Sequence, residues 1–148
     1  MIVRVEVEVR PTEDKGKVIK ALKNLFNIKT DDIEETKEGL YTRIIVVSEG
    51  GYVLNKLYHM LRMQRILDAA RQYLTKGKKE RSVIFYLNKQ AAYMGKVSFC
   101  SFEYGESPLG AIVINIETGD PDRLIDWLSP PTSKGVPIEK VKSPPGDP

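Results

Sequence analysis

Residues 2–10 alternate without a break, with Val3, Val5, Val7 and Val9 on one side and Arg4, Glu6, Glu8 and Arg10 on the other. Period-two alternation of β-branched residues predicts a strand with one face in a core and one in water. Pro11 ends it. Thr12 is expected to cap a helix, with Glu13 and Asp14 at the positive end of its dipole. Val18, Ala21, Leu22, Leu25 and Phe26 then recur at helical spacing. Lys17, Lys20 and Lys23 lie off that stripe, as a solvated face or a second basic surface. A short strand is expected around Ile33, a hairpin turn at Glu38-Gly39 and a strand over 40–47, before Gly50-Gly51 breaks the chain.

Residues 52–82 hold the longest helical pattern, and it changes register. Leu54, Leu57, Tyr58 and Leu61 form one apolar stripe; Met63, Ile66, Leu67, Ala70 and Leu74 form another. One straight helix cannot keep both on one face, so the pattern predicts two helices, or one kinked between Leu61 and Gln64. Gly77 ends the run. The continuous apolar stretch 82–88 reads as a strand covered on both faces. Residues 89–95 read as a loop or single helical turn, 96–102 as a strand and 105–110 as a turn or loop. Residues 111–116 form a further apolar strand. Asp120 caps a short helix with Pro121 at its first position, running through Leu124, Ile125, Trp127 and Leu128 until Pro130-Pro131 stops it. Clustered strands separated by helices predict an α+β two-layer sandwich, a mostly antiparallel sheet with helices packed on one face. Residues 1–131 are expected to form one domain. Residues 132–148, rich in Pro and Lys, are expected to be an extended tail with a disordered end.

Composition adds limits. The 148 residues, 41% apolar and 29% charged, match an ordinary soluble domain. No apolar run approaches the ~20 residues of a membrane helix. The charged, alternating start is unlike a signal peptide, and Cys100 has no partner for an intrachain disulfide. A cytoplasmic protein is expected.

Charge changes the picture more. Residues 52–82 carry Lys56, Arg62, Arg65, Arg71, Lys76, Lys78, Lys79 and Arg81 against Asp68 and Glu80, while both flanks are mildly acidic. The net charge of +3 is therefore a local excess. Phosphate binding requires several cations on one surface. The expected nucleic-acid contacts are Arg62, Arg65, Gln72, Lys76, Lys78, Lys79 and Arg81, with Tyr73 or Tyr93 to stack a base. The competing reading pairs Arg65 and Arg71 with Asp68 as helix ion pairs.

Catalytic chemistry finds no comparable support. His59, the only histidine, sits within a helical stripe; Cys100 reads as a small buried thiol. Asp120, Asp122 and Asp126 are accounted for by a cap and a solvated face. Gly50-Gly51 lacks the Lys-Ser/Thr of a phosphate-binding loop. No catalytic residue, cofactor or metal is expected.

The stretches VRVEVEVRPTED, LRMQRILDAAR, GKVSF with SPLGAIVINI, and DWLSPPTSKGVPI resemble the archaeal uncharacterised protein family 0201 from about residue 2 to residue 138. The resemblance implies a fold like that of the large-subunit ribosomal protein that binds 5S rRNA. It supplies no functional residues to carry over. The leading expectation is a non-enzymatic domain whose basic central helix binds structured RNA. The alternative is an assembly domain, a homodimer with no nucleic-acid role, and the third reading is a small-ligand enzyme.

Overall fold

A computed structural model describes residues 1–102 and 110–146. The elements in order are β1 (Ile2–Val9), α1 (Lys15–Leu25), β2 (Glu34–Glu38), β3 (Tyr41–Glu49), α2 (Asn55–Met63), α3 (Leu67–Lys76), β4 (Ser82–Asn88), α4 (Lys89–Tyr93), β5 (Phe99–Cys100), β6 (Ala111–Glu117), α5 (Pro121–Leu128), β7 (Thr132–Ser133) and β8 (Val136–Pro137). The expected turn at 105–110 lies, apart from Gly110, outside the described residues, as does the very end of the tail.

The first six strands form one antiparallel sheet in the order β2-β3-β1-β6-β4-β5. Its two faces differ because the side chains alternate. Val3, Val5 and Val7 of β1, Ile44 and Val46 of β3, Val83, Phe85 and Leu87 of β4, and Ile112, Ile114 and Ile116 of β6 are all buried beneath the helices. The helices answer with Leu22 and Leu25, Leu57 and Leu61, Leu67 and Leu74, and Leu124 and Leu128. This is the two-layer α+β arrangement the pattern predicts.

The opposite face has no helix on it. It carries Glu6 and Glu8 beside Arg43 (3.2 and 2.8 Å), with Glu38 closing on the same guanidinium at 3.2 Å. Residues 82–88 therefore differ from expectation. β4 buries every second residue and leaves Ile84 and Tyr86 half-covered on the open face. Its apolar run looked fully interior because that open face is itself partly apolar.

Two local features, one a departure and one expected, have clear causes. Asp14, not Thr12, caps α1, accepting from the Gly16 and Lys17 amides. The long helical pattern breaks into α2 and α3 at Gln64–Ile66. There Ile66 N donates to Leu61 O and Arg65 N to Arg62 O (both 3.1 Å), with Arg65 at φ 56°. This is the paired-bond helix ending that usually places glycine at the left-handed position. The break also turns Met63 outward, 83% exposed, although it read as part of the second apolar stripe.

Gly77 ends α3 where the chain turns directly onto β4. Ile84 N donates to Gly77 O at 3.0 Å, and a Cβ on Gly77 would overlap the Ile84 carbonyl oxygen. Relief requires backbone movement. Gly77→Ala is expected to cost at least about 3 kcal/mol in denaturant unfolding. Gly39→Ala, at an open left-handed turn with nothing within 4 Å, should cost about 1–2 kcal/mol. Equal losses would mean that the helix–strand approach is looser than described.

Candidate nucleic-acid interface

The eight cations of residues 52–82 do not form one stripe. Arg62, the first of the expected contacts, points inward. Its Nη2 donates to Trp127 O at 3.1 Å, and its Nη1 to Leu128 O at 3.3 Å and Tyr58 O at 3.0 Å. Nε donates to Glu139 at 2.7 Å. The guanidinium also lies 3.4 Å from the centroid of the Tyr58 ring, which stacks on Trp127. Arg62 is a structural clamp, with its donors already committed inside the chain. The hydrogen bond from Arg62 holds the Glu139 carboxyl below its ordinary pKa.

Arg71 and Lys78 are likewise engaged, Arg71 with Asp126 at 2.9 Å and Ser129 O at 3.1 Å, Lys78 with Asp122 at 2.8 Å. The anticipated Asp68 ion pairs are replaced by a single hydrogen bond, from the Thr132 hydroxyl to Asp68 at 2.7 Å. Lys56 donates to Lys23 O. That leaves Arg65, Lys76, Lys79 and Arg81 without a carboxylate partner among the described residues, together with the exposed amide of Gln72. Tyr73, one of the two expected stacking rings, already lies flat against Phe99 at 5.2 Å and 10°.

Several of these residues share a groove. One wall is α3 and the other is the β7–β8 hairpin. Arg65 and Lys134 line its upper part and Gln72 and Lys76 its lower part, with Asp68 and Thr132 at the shared middle. The hairpin turn is Lys134-Gly135, both at positive φ (52° and 79°), the two-residue turn that normally prefers Asn-Gly. Lys134 belonged to a tail read as extended, so its place opposite Arg65 was not foreseen. Its one sequence signal was the Lys-Gly pair between two short β-compatible dipeptides.

Arg65 and Lys134 are the non-glycine residues at positive φ among the described residues. Each occupies a position where glycine would relieve about 1 kcal/mol of backbone strain. Both are long cations facing the same groove. Lys79 and Arg81 sit beyond the Gly77 turn, with Arg81 facing a separate hollow beside Asn115 and Glu117.

The remaining chemistry is accounted for. His59 is exposed and edge-on to Tyr58, and Cys100 is buried. Asp120 caps α5 through the Arg123 amide. Among the described residues, no group of three or more His, Cys, Asp or Glu is arranged to hold a metal ion, and no helix is long and apolar enough to cross a membrane.

A family model described as RNA binding matches residues 2–118. A UPF0201 protein of Sulfurisphaera tokodaii is 51% identical over 135 residues, covering 90% of each chain. Another, from Sulfolobus acidocaldarius, is 47% identical over 141 residues, covering 95% of each. The crystal structure of a UPF0201 protein from Methanococcus jannaschii is 35% identical and superimposes with a TM-score of 0.76, over 93% of this chain and 99% of that one.

The clamp predicts a stability effect separate from any binding effect. Arg62→Ala should lower unfolding free energy by about 2–4 kcal/mol, since it strands two helix-end carbonyls in a partly buried site. Because the Glu139 carboxyl is held below its ordinary value, its contribution is present above the unfolded carboxylate pKa. It is lost as pH falls through the folded one. Glu139→Gln should therefore flatten the acid limb of the wild-type stability curve as the pH falls through and below the ordinary carboxylate range. An acid limb identical in the two proteins would show that the pair contributes nothing.

Proposed function

This chain belongs to the UPF0201 family, and we propose that it is a non-enzymatic RNA-binding protein whose contact surface is the groove between α3 and the β7–β8 hairpin. The observation that carries this reading is the pair Arg65 and Lys134. Both keep uncommitted cations on one groove at backbone positions that disfavour them. Strain of this kind, held where it adds nothing to packing, is characteristic of binding sites. Lys76 and Gln72 extend the same surface, one for phosphate and one for sugar or base edges.

Charge partition supports the orientation. The uncovered sheet face carries Glu6, Glu8, Glu34, Glu38, Glu49 and Glu117 against Arg4, Arg10 and Arg43, with Arg81 beside Glu117 at its edge. An RNA backbone is repelled there and attracted to the helical side. The central segment thus contributes Arg65, Gln72 and Lys76 to the proposed contact, with Lys79 as a peripheral charge, while Arg81 faces the uncovered side beside Glu117. Arg62 and Lys78 act within the fold. The implied likeness to the 5S-rRNA-binding ribosomal protein favours a structured RNA, and a cytoplasmic location follows from that partner.

The double substitution Arg65→Gly with Lys134→Asn tests this directly. Stability should hold or rise by up to about 1 kcal/mol, because left-handed positions are relieved. Affinity for a structured RNA, followed by fluorescence polarisation, should fall. The slope of log affinity against log salt should drop by about two, one for each lost phosphate contact. Unchanged affinity and slope would reject the groove.

The second reading is a homodimer without a nucleic-acid role. It is favoured by apolar side chains on the open sheet face, Val47 (53% exposed) and half-covered Ile45 on β3 and half-covered Val113, Ile84 and Tyr86 two and three strands away across Arg4 and Glu6. Light scattering decides it. A dimer converted to monomer by Val47→Glu supports this reading, whereas a wild-type monomer at high concentration ends it.

A further inference from the structure

The cleft between α1 and α4 is a second place on the helical side where cations and an aromatic ring meet. α4 is held across α1 by the Asn24 side-chain amide, which donates to the carbonyls of Ala92 (3.0 Å) and Tyr93 (3.1 Å). The cleft is lined by Asp14, Lys17, Lys89, Gln90, Tyr93 and Met94, among others.

Lys89 forms its wall. It is only 5% exposed, and its ammonium donates to Glu8 O at 2.8 Å and to both Glu13 carboxylate oxygens at 3.0 and 3.2 Å. Burial lowers its pKa, an effect opposed by Glu13. All three donors are committed, so Lys89 fixes the cleft and neutralises Glu13 but has no free capacity for a ligand.

The open groups are elsewhere. The Lys17 and Lys20 ammonium groups lie 5.8 and 5.2 Å from the centroid of the Tyr93 ring, and neither has a carboxylate partner among the described residues. Met94 stands beside them, 73% exposed. Unlike Tyr73, Tyr93 has no aromatic neighbour among the described residues. A ring that accepts a stacked base, flanked by cations that take the adjoining phosphates, is how proteins hold unpaired nucleotides. Asp14 already accepts from the first amides of α1, and its charge at that end of the cleft directs a phosphate away from it, towards Lys20 over the Tyr93 ring beyond the cleft lining.

We propose that the α1–α4 cleft is a subsite for one unpaired nucleotide of the bound RNA, with the base on Tyr93 and its phosphates on Lys17 and Lys20. The inference rests on the RNA reading above and adds the class of RNA: a duplex interrupted by a bulged or looped nucleotide. Its test compares a blunt RNA duplex with the same duplex carrying a two-nucleotide bulge, using the full chain in fluorescence polarisation. The wild type should prefer the bulged RNA at least fivefold. Tyr93→Leu should abolish that preference while leaving affinity for the blunt duplex unchanged, and Tyr93→Phe should restore it. Lys17→Ala with Lys20→Ala, on an exposed helix face, should also reduce the preference and reports independently should Tyr93→Leu fail to fold.

A bulge preference that survives in both sets of variants, or a wild type with no preference, overturns the subsite and leaves the groove standing. Loss of binding to both RNAs only in the Arg65→Gly, Lys134→Asn protein is the expected groove signature. If the wild type binds neither RNA, the RNA reading itself fails. Saturable binding of uridine monophosphate without any bulge preference would make the cleft a free-nucleotide site, and would also overturn the proposal.

Discussion

The shape of the helical surface depends on a single guanidinium. Arg62 reaches from α2 to the last carbonyls of α5, Trp127 O and Leu128 O, and with the same head group grips Glu139. The hairpin β7–β8 leaves the body of the protein between those two anchor points. Arg62 therefore pinches the base of the excursion that forms one wall of the groove. Thr132, bonded to Asp68 of α3, sets the wall's distance from the other side. The cation most central to the sequence pattern thus lines the groove while its donors are spent on the chain's own acceptors. Beyond the pinch the chain continues over the same side, with Arg123 donating to Ser143 and Pro144 packed so closely on Gly51 that a Cβ there would clash.

How legible this was depended on the range of the interactions. The strands of the core were visible because each rests on neighbours one or two positions away: the valines of β1, the apolar runs of β4 and β6, the Asp-Pro start of α5. The division of the long helix was visible too, since two stripes cannot share a face. The fate of individual cations was not. Arg62 meets partners 65 to 77 positions away, and Lys78 meets one 44 positions away. Local spacing offered Arg65 and Arg71 a partner in Asp68, but Arg71 found Asp126 and Asp68 was taken by a tail hydroxyl. At this level charge is legible as a sum over a segment, and its direction depends on tertiary contacts.

The two tyrosines make the same point. Tyr73, on the long helical pattern, and Tyr93, in a stretch read as a loop or single helical turn, are equal candidates in sequence, each near lysines. Tyr73 lies over the sheet edge, where Phe99 of β5 is close enough to cover one face of the ring. Tyr93 ends a helix of a single turn that crosses α1, so its ring packs partly on the core and lies beneath the Lys17 and Lys20 ammonium groups, with no aromatic ring against it among the described residues. An aromatic partner covers one ring, and displaceable lysine ammonium groups stand over the other.

Left-handed backbone at Arg65 and Lys134 supplies a different kind of information. In the other positive-φ positions of the described chain, glycine stands where steric economy would place it. At these two, a long cation stands instead, once at a helix ending and once at a hairpin turn. Neither side chain repays the strain through packing or an ion pair among the described residues. Both converge on a groove whose base is pinched by Arg62, where the one carboxylate lining both halves, Asp68, already accepts from Thr132. A fold under selection for stability alone would be expected to replace both with glycine or asparagine. Their presence is explained if the stabilising partner of those two charges is an anion outside the chain.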